Sequence, residues 1–309
     1  MTLQQLEYVL AVDQHRHFTT AAEACYVTQP TLSVAIKKLE EEIGVILFDR
    51  QSKPIAPTPA GEQIIIKMRQ ILHEVDQLKV WVSSETESLQ GTFTLGVIPT
   101  LAPYILPLFV QSFSESFPQT HLIIKELQTA QIIEGLKTGK VDVGLLVTPL
   151  EDASIREVPV YYEPFMLYAQ PDHRLMEDGV LTPGTLPPSD MLVLGEGHCF
   201  RSQMLAICER PSVGAQHRFE YESGSIEALK AFVQRGVGYT LVPELAIDSA
   251  KDATHSRRFE DPQPVREVSL AVHRSFTREA VLENLRAAIA DAVPDRFQLA
   301  AQYTRVKWR

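Results

Sequence analysis

The sequence predicts an α/β protein in three parts: a small helical N-terminal part, one long helix, and a larger part in which strands alternate with helices. Three observations support this prediction. Helix start signals recur at short intervals before Gly44, apolar residues follow a coiled-coil pattern through residues 64–82, and strand patterns alternate with helical ones after Gly91. With 309 residues, 45% of them hydrophobic, the chain is long enough for two or three domains, which excludes disorder and a small disulfide scaffold.

Charge and cysteine content narrow the class of protein. The formal net charge is −10, so a surface for nucleic acid has to be a local patch on an acidic body. The cysteine count of three is odd, which favours a reducing compartment over a disulfide framework. The first residues lack the basic start and apolar run of a signal peptide, and no apolar stretch approaches ~18 residues. We therefore expect a cytoplasmic protein with no membrane partner.

Two short helices are predicted at the N-terminus. Thr2 and Gln5 have the spacing of a capping box, which predicts a helix over residues 2–15. Thr20 and Glu23 repeat that spacing, which predicts that a second helix begins there. Its alanine side chains are small enough to let another helix approach closely.

A third helix is predicted after a short turn, with Thr28 as its N-cap and Gly44 at its end. Two helices joined by such a turn form a helix-turn-helix, whose second helix meets base edges in the major groove of DNA. The residues predicted to face the groove are Gln29, Pro30, Thr31, Ser33, Lys37 and Lys38. The alternative is a three-helix bundle with a solvated polar face, because the nearby carboxylates of Glu40, Glu41, Glu42 and Asp49 offset the local cations.

A small hairpin is predicted next, with strands over residues 45–48 and 55–58. Arg50 and Lys53 lie between the two strands, where their charges suit the phosphates of a DNA backbone. Residues 1–58 are therefore predicted to form a winged helix-turn-helix.

A long helix is predicted over residues 59–88. Its apolar residues step by 4, 3, 4, 3 and 4, as in the seam of a coiled coil: Ile64, Met68, Ile71, Val75, Leu78 and Val82. The helix would be roughly 45 Å long, so packing on its own domain explains only the first turns. We expect the remainder to pair with a second subunit, which places two recognition helices at a fixed spacing.

The remainder of the chain is predicted to form two α/β lobes with parallel sheets and a cleft at the carboxyl ends of the strands. The predicted strands cover residues 93–98, 121–127, 141–147, 165–169, 191–194, 217–221, 239–242 and 267–273. The predicted helices cover residues 103–117, 131–138, 201–209, 225–234 and 277–292.

Several motifs resemble the LysR-type transcriptional regulators, and the resemblance covers essentially the whole chain. Near the N-terminus they are HRHFTTAA at residues 15–22 and TQPTLS at residues 28–33. The segment GHCFR at residues 197–201, together with Cys208, is similar to the peroxide-sensing members of that family. Ser202 departs from the pattern, because those members carry an aspartate after the arginine.

The resemblance implies an organisation and a set of partners. It implies a winged helix-turn-helix DNA-binding domain at residues 1–58 and a linker helix and hinge at residues 59–90. A two-lobed, periplasmic-binding-protein-like regulatory domain follows at residues 91–309, with lobe I at about 91–162 and 267–309 and lobe II at about 163–266. It further implies a homodimer that assembles to a homotetramer, binds an inverted-repeat operator in double-stranded DNA, and activates antioxidant genes through RNA polymerase.

Cys199 and Cys208 are nine positions apart. On one continuous helix they would lie roughly 13 Å apart along the axis, whereas a disulfide needs Cα atoms within about 7 Å. Closing the bond would unwind the segment and turn oxidation into a change of shape. By resemblance, Cys199 is the peroxidatic cysteine that hydrogen peroxide oxidises, Cys208 resolves it to a reversible disulfide, and a thiol reductant such as glutaredoxin or thioredoxin restores the pair. Two buried thiols that act as small hydrophobes are the alternative.

Ionisation alone cannot make such a thiol fast, because a cysteine with a pKa near 8.5 gains about 30-fold at most from complete ionisation at pH 7. By resemblance, Thr100, Thr129 and His198 hold the peroxide. Arg266 and the start of a helix are expected to lower the pKa of the thiol. Cys25, in the helix-turn-helix, is predicted to be a packing residue.

No cofactor and no metal site are predicted, because the histidines form no His-x-x-x-His pair and no cysteine cluster has zinc spacing. We expect a regulator and not an enzyme. One alternative is a LysR-type regulator that binds a small organic effector in the cleft between its lobes. The others are a thiol peroxidase and an α/β binding protein, although the helix-turn-helix and the missing signal peptide count against an exported binding protein.

Overall fold

The computed structural model describes residues 1–83, 90–177, 179–187, 190–208, 224–298 and 303–306, with the side chains of residues 76–83 and 303 outside the description. The chain divides into two compact units. The first comprises Met1–Glu87 with Lys137–Lys140, and the second comprises Ser88–Leu136 with Val141–Arg309. Within the described residues, no helix combines the length and apolar character that crossing a membrane requires.

The first unit contains the predicted helices and a very short hairpin. Its elements are α1 (Leu3–His15), α2 (Phe18–Ala24), α3 (Gln29–Ile43), β1 (Phe48–Asp49), β2 (Ala56–Pro57) and α4 (Pro59–Ser83). The capping box of α1 is confirmed, because the Thr2 side chain accepts from the N–H of Gln5 while the Gln5 side chain accepts from the N–H of Thr2. The cap of α3 is confirmed as well: Thr28 accepts from the N–H of Thr31, and Gly44 ends the helix with a φ of 71°.

The predicted start of the second helix at Thr20 is wrong. α2 begins two residues earlier, at Phe18, and the Thr20 hydroxyl lies 3.4 Å from Nδ1 of His17. The Phe18 ring packs edge-on against Phe48 at 6.3 Å, so the helix starts where its aromatic side chain reaches the core.

The seam of α4 begins inside the core of the first unit. Met68 is buried in this core, and Ile64 packs against the core. Ile71 is 40% exposed, and Val75 is half-buried. The last two seam residues, Leu78 and Val82, have side chains outside the described residues. The first turns thus pack on their own domain, as expected, and Ile71 is the first seam residue that they leave exposed.

The second unit alternates strands and helices. Its strands are β3 (Gly91–Val97), β4 (Thr120–Glu126), β5 (Val143–Thr148), β6 (Ile155–Ala169), β7 (Tyr239–Pro243), β8 (Ser256–Arg258), β9 (Gln263–His273) and β10 (Tyr303–Arg305). Its helices are α5 (Ala102–Ser116), α6 (Thr129–Thr138, whose last two residues belong to the first unit), α7 (Cys199–Ile207), α8 (Ile226–Val233) and α9 (Glu279–Ala292).

The strands run in the order β4-β3-β5-β9-β6-β7. β3 is parallel to β4 and to β5, which confirms the predicted βαβαβ unit. The prediction of wholly parallel sheets is wrong, because β9 runs antiparallel to both β5 and β6, and β7 is antiparallel to β6. Two long antiparallel strands, β6 and β9, pair from Ile155 with His273 to Pro164 with Val265 and hold the sheet together.

This sheet carries two hydrophobic cores. The first surrounds β3, β5, α5 and α9, and the second surrounds β7, α7 and α8. β6 contributes to both, with Val160 and Tyr161 in the first core and residues 165–169 in the second. Val306, near the C-terminus, packs in the second core.

The prediction of a strand over residues 191–194 is wrong. Only Met191 forms a bridge, to Tyr239. The carbonyls of Leu192 and Leu194 accept hydrogen bonds from the side chains of Thr240 and Arg201, at 2.9 and 2.8 Å. The strand predicted over residues 217–221 lies outside the described residues.

Candidate functional site

Helix α7 carries the two predicted redox cysteines at its ends. Cys199 is its first residue, and Cys208 follows its last turn as the C-cap. Both thiols are free and buried, with 5% and 4% of their surfaces exposed. Because the helix between them is unbroken, their separation along its axis is roughly 13 Å. They also pack in different cores, Cys199 in the first and Cys208 in the second. A disulfide therefore requires this helix to open.

The Cys199 sulfur lies among hydrogen-bond donors at the start of α7. The Thr129 hydroxyl and the backbone N–H groups of Cys199 and Phe200 are hydrogen-bonding groups that favour its thiolate, and the Arg266 guanidinium adds positive charge. Each of these groups lowers the pKa of the Cys199 thiol, as the sequence predicts for Arg266 and the helix start. Burial outweighs them, so the net pKa is raised above its usual value. The resting form at neutral pH is therefore the thiol.

Arg266, on β9, is 1% exposed and is fixed by several partners. Its NH1 and NH2 groups donate to the hydroxyl and the carbonyl of Thr100, at 3.2 and 3.0 Å. Its guanidinium also lies 5.2 Å from the centre of the Phe200 ring. Of the four residues predicted to surround the thiol, Thr100, Thr129 and Arg266 are thus brought together.

The fourth residue, His198, directly precedes Cys199 in the chain. It occupies the N-cap position of α7 without a side-chain cap. Its imidazole is directed at Gly224, where an added Cβ would come within 2.8 Å of Nε2. Burial lowers the pKa of His198, so the ring is neutral at pH 7.

Glu163, on β6, is a residue of this site that the sequence reasoning missed. It is fully buried, and its Oε2 accepts from Nε of Arg266 at 2.9 Å and lies 2.7 Å from NH2 of the same guanidinium as an ion pair. Its Oε1 accepts the backbone N–H of Leu245 at 3.0 Å. Burial raises the pKa of Glu163 and Arg266 opposes that shift. A carboxylate inside the apolar run of residues 160–169 was the available signal, since such a group is rarely buried without a partner.

Cys208 has a different environment. Its sulfur lies 3.5 Å from Sδ of Met191, and the Tyr239 side chain partly lowers the pKa of the thiol. Burial raises the pKa of Cys208 to about 11. A resolving role needs this thiol to leave the second core, because neither its position nor its protonation suits attack on Cys199 in the resting fold.

In the first unit, α3 presents the predicted groove-facing residues at the surface. Gln29, Pro30, Thr31 and Lys37 are exposed, and Ser33 is half-buried. The Thr31 hydroxyl lies 2.8 Å from that of Thr28. Lys53, in the hairpin, is also exposed.

Arg50 and Glu40 tie the hairpin to α3. Arg50 donates to Ser33 Oγ at 3.3 Å and to Glu40 Oε2 at 2.9 Å, with its guanidinium 5.4 Å from the centre of the Phe18 ring. Glu40 is 8% exposed, and its Oε1 accepts the N–H groups of Leu47 and Phe48 at 2.8 and 3.4 Å. Glu40, which sequence reasoning treated as a solvated acid, is thus the buried anchor of the hairpin.

Cys25 is half-buried against the core of the first unit. Burial and the nearby Glu7 raise its pKa. Among the described residues, no group of three or more His, Cys, Asp or Glu side chains lies close enough together to hold a metal ion.

Two family models match the chain. Residues 3–62 match the bacterial regulatory helix-turn-helix protein of the lysR family, and residues 86–294 match the LysR substrate binding domain. A DNA-binding transcriptional dual regulator from Escherichia coli K12, OxyR, is 33% identical over 299 residues, which cover 96% of this chain and 97% of that protein. The hydrogen peroxide-inducible genes activator of Haemophilus influenzae is 32% identical over 95% of this chain and 97% of its own length.

Solved structures are similar as well. Full-length OxyR from Pseudomonas aeruginosa, carrying a cysteine-to-aspartate substitution, has a TM-score of 0.79 and 33% identity over 94% of this chain and 98% of its own. A cysteine mutant of Corynebacterium glutamicum OxyR bound to hydrogen peroxide has a TM-score of 0.63 and 29% identity over 94% and 92% of the two chains. The winged helix-turn-helix, the two-lobed sheet and these matches agree: the chain belongs to the LysR family of bacterial regulatory helix-turn-helix proteins.

Proposed function

We propose that this protein is a hydrogen-peroxide-responsive, DNA-binding transcription regulator that activates antioxidant genes and is switched by a reversible Cys199–Cys208 disulfide. The observation that carries the proposal is the arrangement of α7, with one buried thiol among Thr129 and Arg266 at its start and a second at its end. The Haemophilus influenzae relative, which is named as a hydrogen peroxide-inducible genes activator, supports the same conclusion.

The chemistry starts when the Cys199 thiol gives up its proton and attacks one oxygen of hydrogen peroxide. The O–O bond breaks, the released hydroxide takes a proton and leaves as water, and the sulfur becomes a sulfenic acid. The Cys208 sulfur then attacks that of Cys199, the S–O bond breaks, and a second water leaves. One peroxide and two thiols thus give one disulfide and two waters. In this proposal the hydroxyls of Thr100 and Thr129 and the imidazole of His198 hydrogen-bond the peroxide, with Arg266 beside Thr100.

Family membership supports the remaining assignments of this proposal. Residues 1–58 bind an inverted-repeat operator, residues 59–90 link and pair the subunits, and residues 91–309 sense the oxidant. The protein acts in the cytoplasm as a dimer that assembles to a tetramer, and it contacts RNA polymerase. It is reset by a thiol reductant such as glutaredoxin or thioredoxin, and it undergoes one oxidation per reset and not the steady turnover of an enzyme.

The test is thiol trapping after peroxide treatment, run beside operator footprinting on the same sample. We expect one equivalent of peroxide to remove two free thiols, to link Cys199 with Cys208, and to change the footprint in the same proportion. A footprint that responds to a saturable organic ligand, with both thiols still free, would instead support the effector-binding alternative.

Lys53 and Thr31 are expected to affect DNA binding in different ways. Lys53→Ala removes an exposed phosphate contact, so affinity should fall on operator and random DNA alike and the salt slope should drop by about one. Thr31→Ala should change sequence preference by about 1–3 kcal/mol, because its side chain faces the groove. Fluorescence anisotropy over a salt series measures both, with Lys67→Ala on the exposed side of α4 as the control. Equal losses on both DNAs for both variants would contradict the groove assignment.

The seam of α4 is expected to hold two subunits together. Replacing Ile71 and Leu78 with Glu places charges in a dry interface and should weaken the dimer at least about 100-fold. Gln63→Glu adds the same charge at an exposed position of α4 and should leave the dimer intact. Sedimentation over a concentration series measures the dissociation constant. A double variant that still dimerises through this helix would refute its role.

A further inference from the structure

A buried carboxylate stands behind the cation that acts on Cys199. Glu163 and Arg266 are 0% and 1% exposed, and one carboxylate oxygen accepts a hydrogen bond from Nε at 2.9 Å and lies 2.7 Å from NH2. The remaining donors of Arg266 reach Thr100, so the ion pair also fixes where the guanidinium points. Glu163 itself is held by β6 and by the N–H of Leu245.

The consequence is a balance of charge at the thiol. Between buried groups, charges interact strongly because little water screens them. With Glu163 in place, Arg266 belongs to a neutral pair and gives a thiolate at Cys199 only weak support. Without Glu163, the guanidinium would be a buried cation, and Cys199 would be a nearby group able to become its counterion.

The other titratable groups near this pair do not alter that balance. The pKa values of Tyr104 and Tyr161 are raised, chiefly by burial, and His198 is neutral, so all three carry no charge at pH 7. Glu244, in the turn that follows β7, is the other carboxylate that acts on Glu163. It is itself paired with Arg258 and Arg296.

We propose that Glu163 is a positioning residue that sets the reactivity of Cys199: it holds Arg266 against Thr100 and neutralises its charge, so that Cys199 stays protonated until peroxide arrives. The effect of Glu163 on signalling rests on the proposed function. The charge balance itself is a property of the resting protein and is measurable without peroxide or DNA.

The test is a charge cycle on the full chain. In a Cys25→Ser/Cys208→Ser parent, Cys199 is the only thiol, and its ionisation is followed by the ultraviolet absorbance of the thiolate against pH. Glu163→Gln, Arg266→Gln and the double variant are compared with the parent. Gln keeps the size and acceptor oxygen of Glu163 and removes its charge. The same proteins with Cys199→Ser provide the background to subtract.

We expect Glu163→Gln to lower the pKa of Cys199 and raise the thiolate fraction at pH 7 about tenfold, and Arg266→Gln to lower that fraction. The double variant, which replaces a neutral pair by neutral groups, should stay within about threefold of the parent. If the role of Glu163 were purely structural, both single substitutions would shift the pKa of Cys199 in the same direction or leave it unchanged. Either result would overturn the proposal.

A control variant and the double variant complete the test of Glu163. Asp252→Asn removes a carboxylate from the other buried pair, Lys230–Asp252 at 2.7 Å, and should leave the pKa of Cys199 unchanged. If Glu163→Gln fails to fold, the double variant tests the proposal. A Cys199 thiolate fraction close to that of the parent supports charge balance. A thiolate fraction about tenfold lower shows that Arg266 acts as an uncompensated cation and contradicts the proposal. Failure of either kind leaves peroxide-driven disulfide formation in the unsubstituted chain, which keeps both Cys199 and Cys208, as a separate result that tests the proposed function alone.

Discussion

Cys199→Ser is expected to abolish fast oxidation by peroxide, whereas Cys208→Ser should still react and accumulate sulfenic acid. The difference follows from their surroundings, because only Cys199 lies among Thr129, Arg266 and the N-terminal N–H groups of α7. Cys208, beside Met191 and with a pKa raised to about 11, has little thiolate to offer. A sulfenic-acid probe and intact-mass spectrometry distinguish the products.

Two companion variants sharpen that experiment. Thr129→Val removes one hydrogen bond to the sulfur and should slow the first step about 100-fold while leaving disulfide formation possible under a strong oxidant. Cys25→Ser, half-buried in the other unit, should retain the parent rate and serves as the control. If Cys199→Ser lost its remaining thiols as quickly as the parent, or if the disulfide formed with α7 still helical, the mechanism would be wrong.

Glu40→Ala is expected to produce the largest loss of stability in the DNA-binding unit. It leaves the buried N–H groups of Leu47 and Phe48 without their acceptor and releases Arg50, which should lower the free energy of unfolding by about 2–4 kcal/mol. Operator affinity should fall by at least about tenfold, because the hairpin and Ser33 lose their shared support. Urea denaturation followed by circular dichroism and DNA anisotropy measure the two effects.

Glu41→Ala is the matched control on the same helix. Glu41 is exposed and lies 3.7 Å from Lys37 in a surface pair, so its removal should change stability by no more than about 0.5 kcal/mol. Equal losses for Glu40→Ala and Glu41→Ala would show that the hairpin does not depend on the buried carboxylate.

Short sequence motifs predicted correctly those helix ends that depend only on neighbouring residues. The capping box at Thr2, the Thr28 cap and Gly44 mark helix ends correctly, because each acts within one turn. The start of α2 could not be found in this way, since it depends on Phe18 meeting Phe48, thirty positions later. The first half of β6 was missed for a similar reason: Pro159 and Pro164 break the strand pattern, and only pairing with β9 makes that segment a strand.

The candidate site shows the same division. Cys199, Thr129 and Arg266 were found by resemblance to a known family, and the structure brings them together. Glu163 and Glu40 were not found, because a carboxylate in a sequence is normally solvated and only the fold reveals its buried partner. The strand directions were also hidden, since nothing local indicates that β9 inserts antiparallel between β5 and β6.

The attachment of α7 to two cores links packing to redox thermodynamics. In the proposed switch, the disulfide forms only when the helix gives up its contacts, so the free energy of packing Phe200, Met204 and Ile207 favours the dithiol and raises its midpoint potential. For a two-electron couple, about 1.4 kcal/mol corresponds to about 30 mV. Side chains that never touch sulfur would therefore set the oxidant level at which the sensor responds, and a change at Met204 or Ile207 would retune that threshold without removing a residue of the Cys199 site.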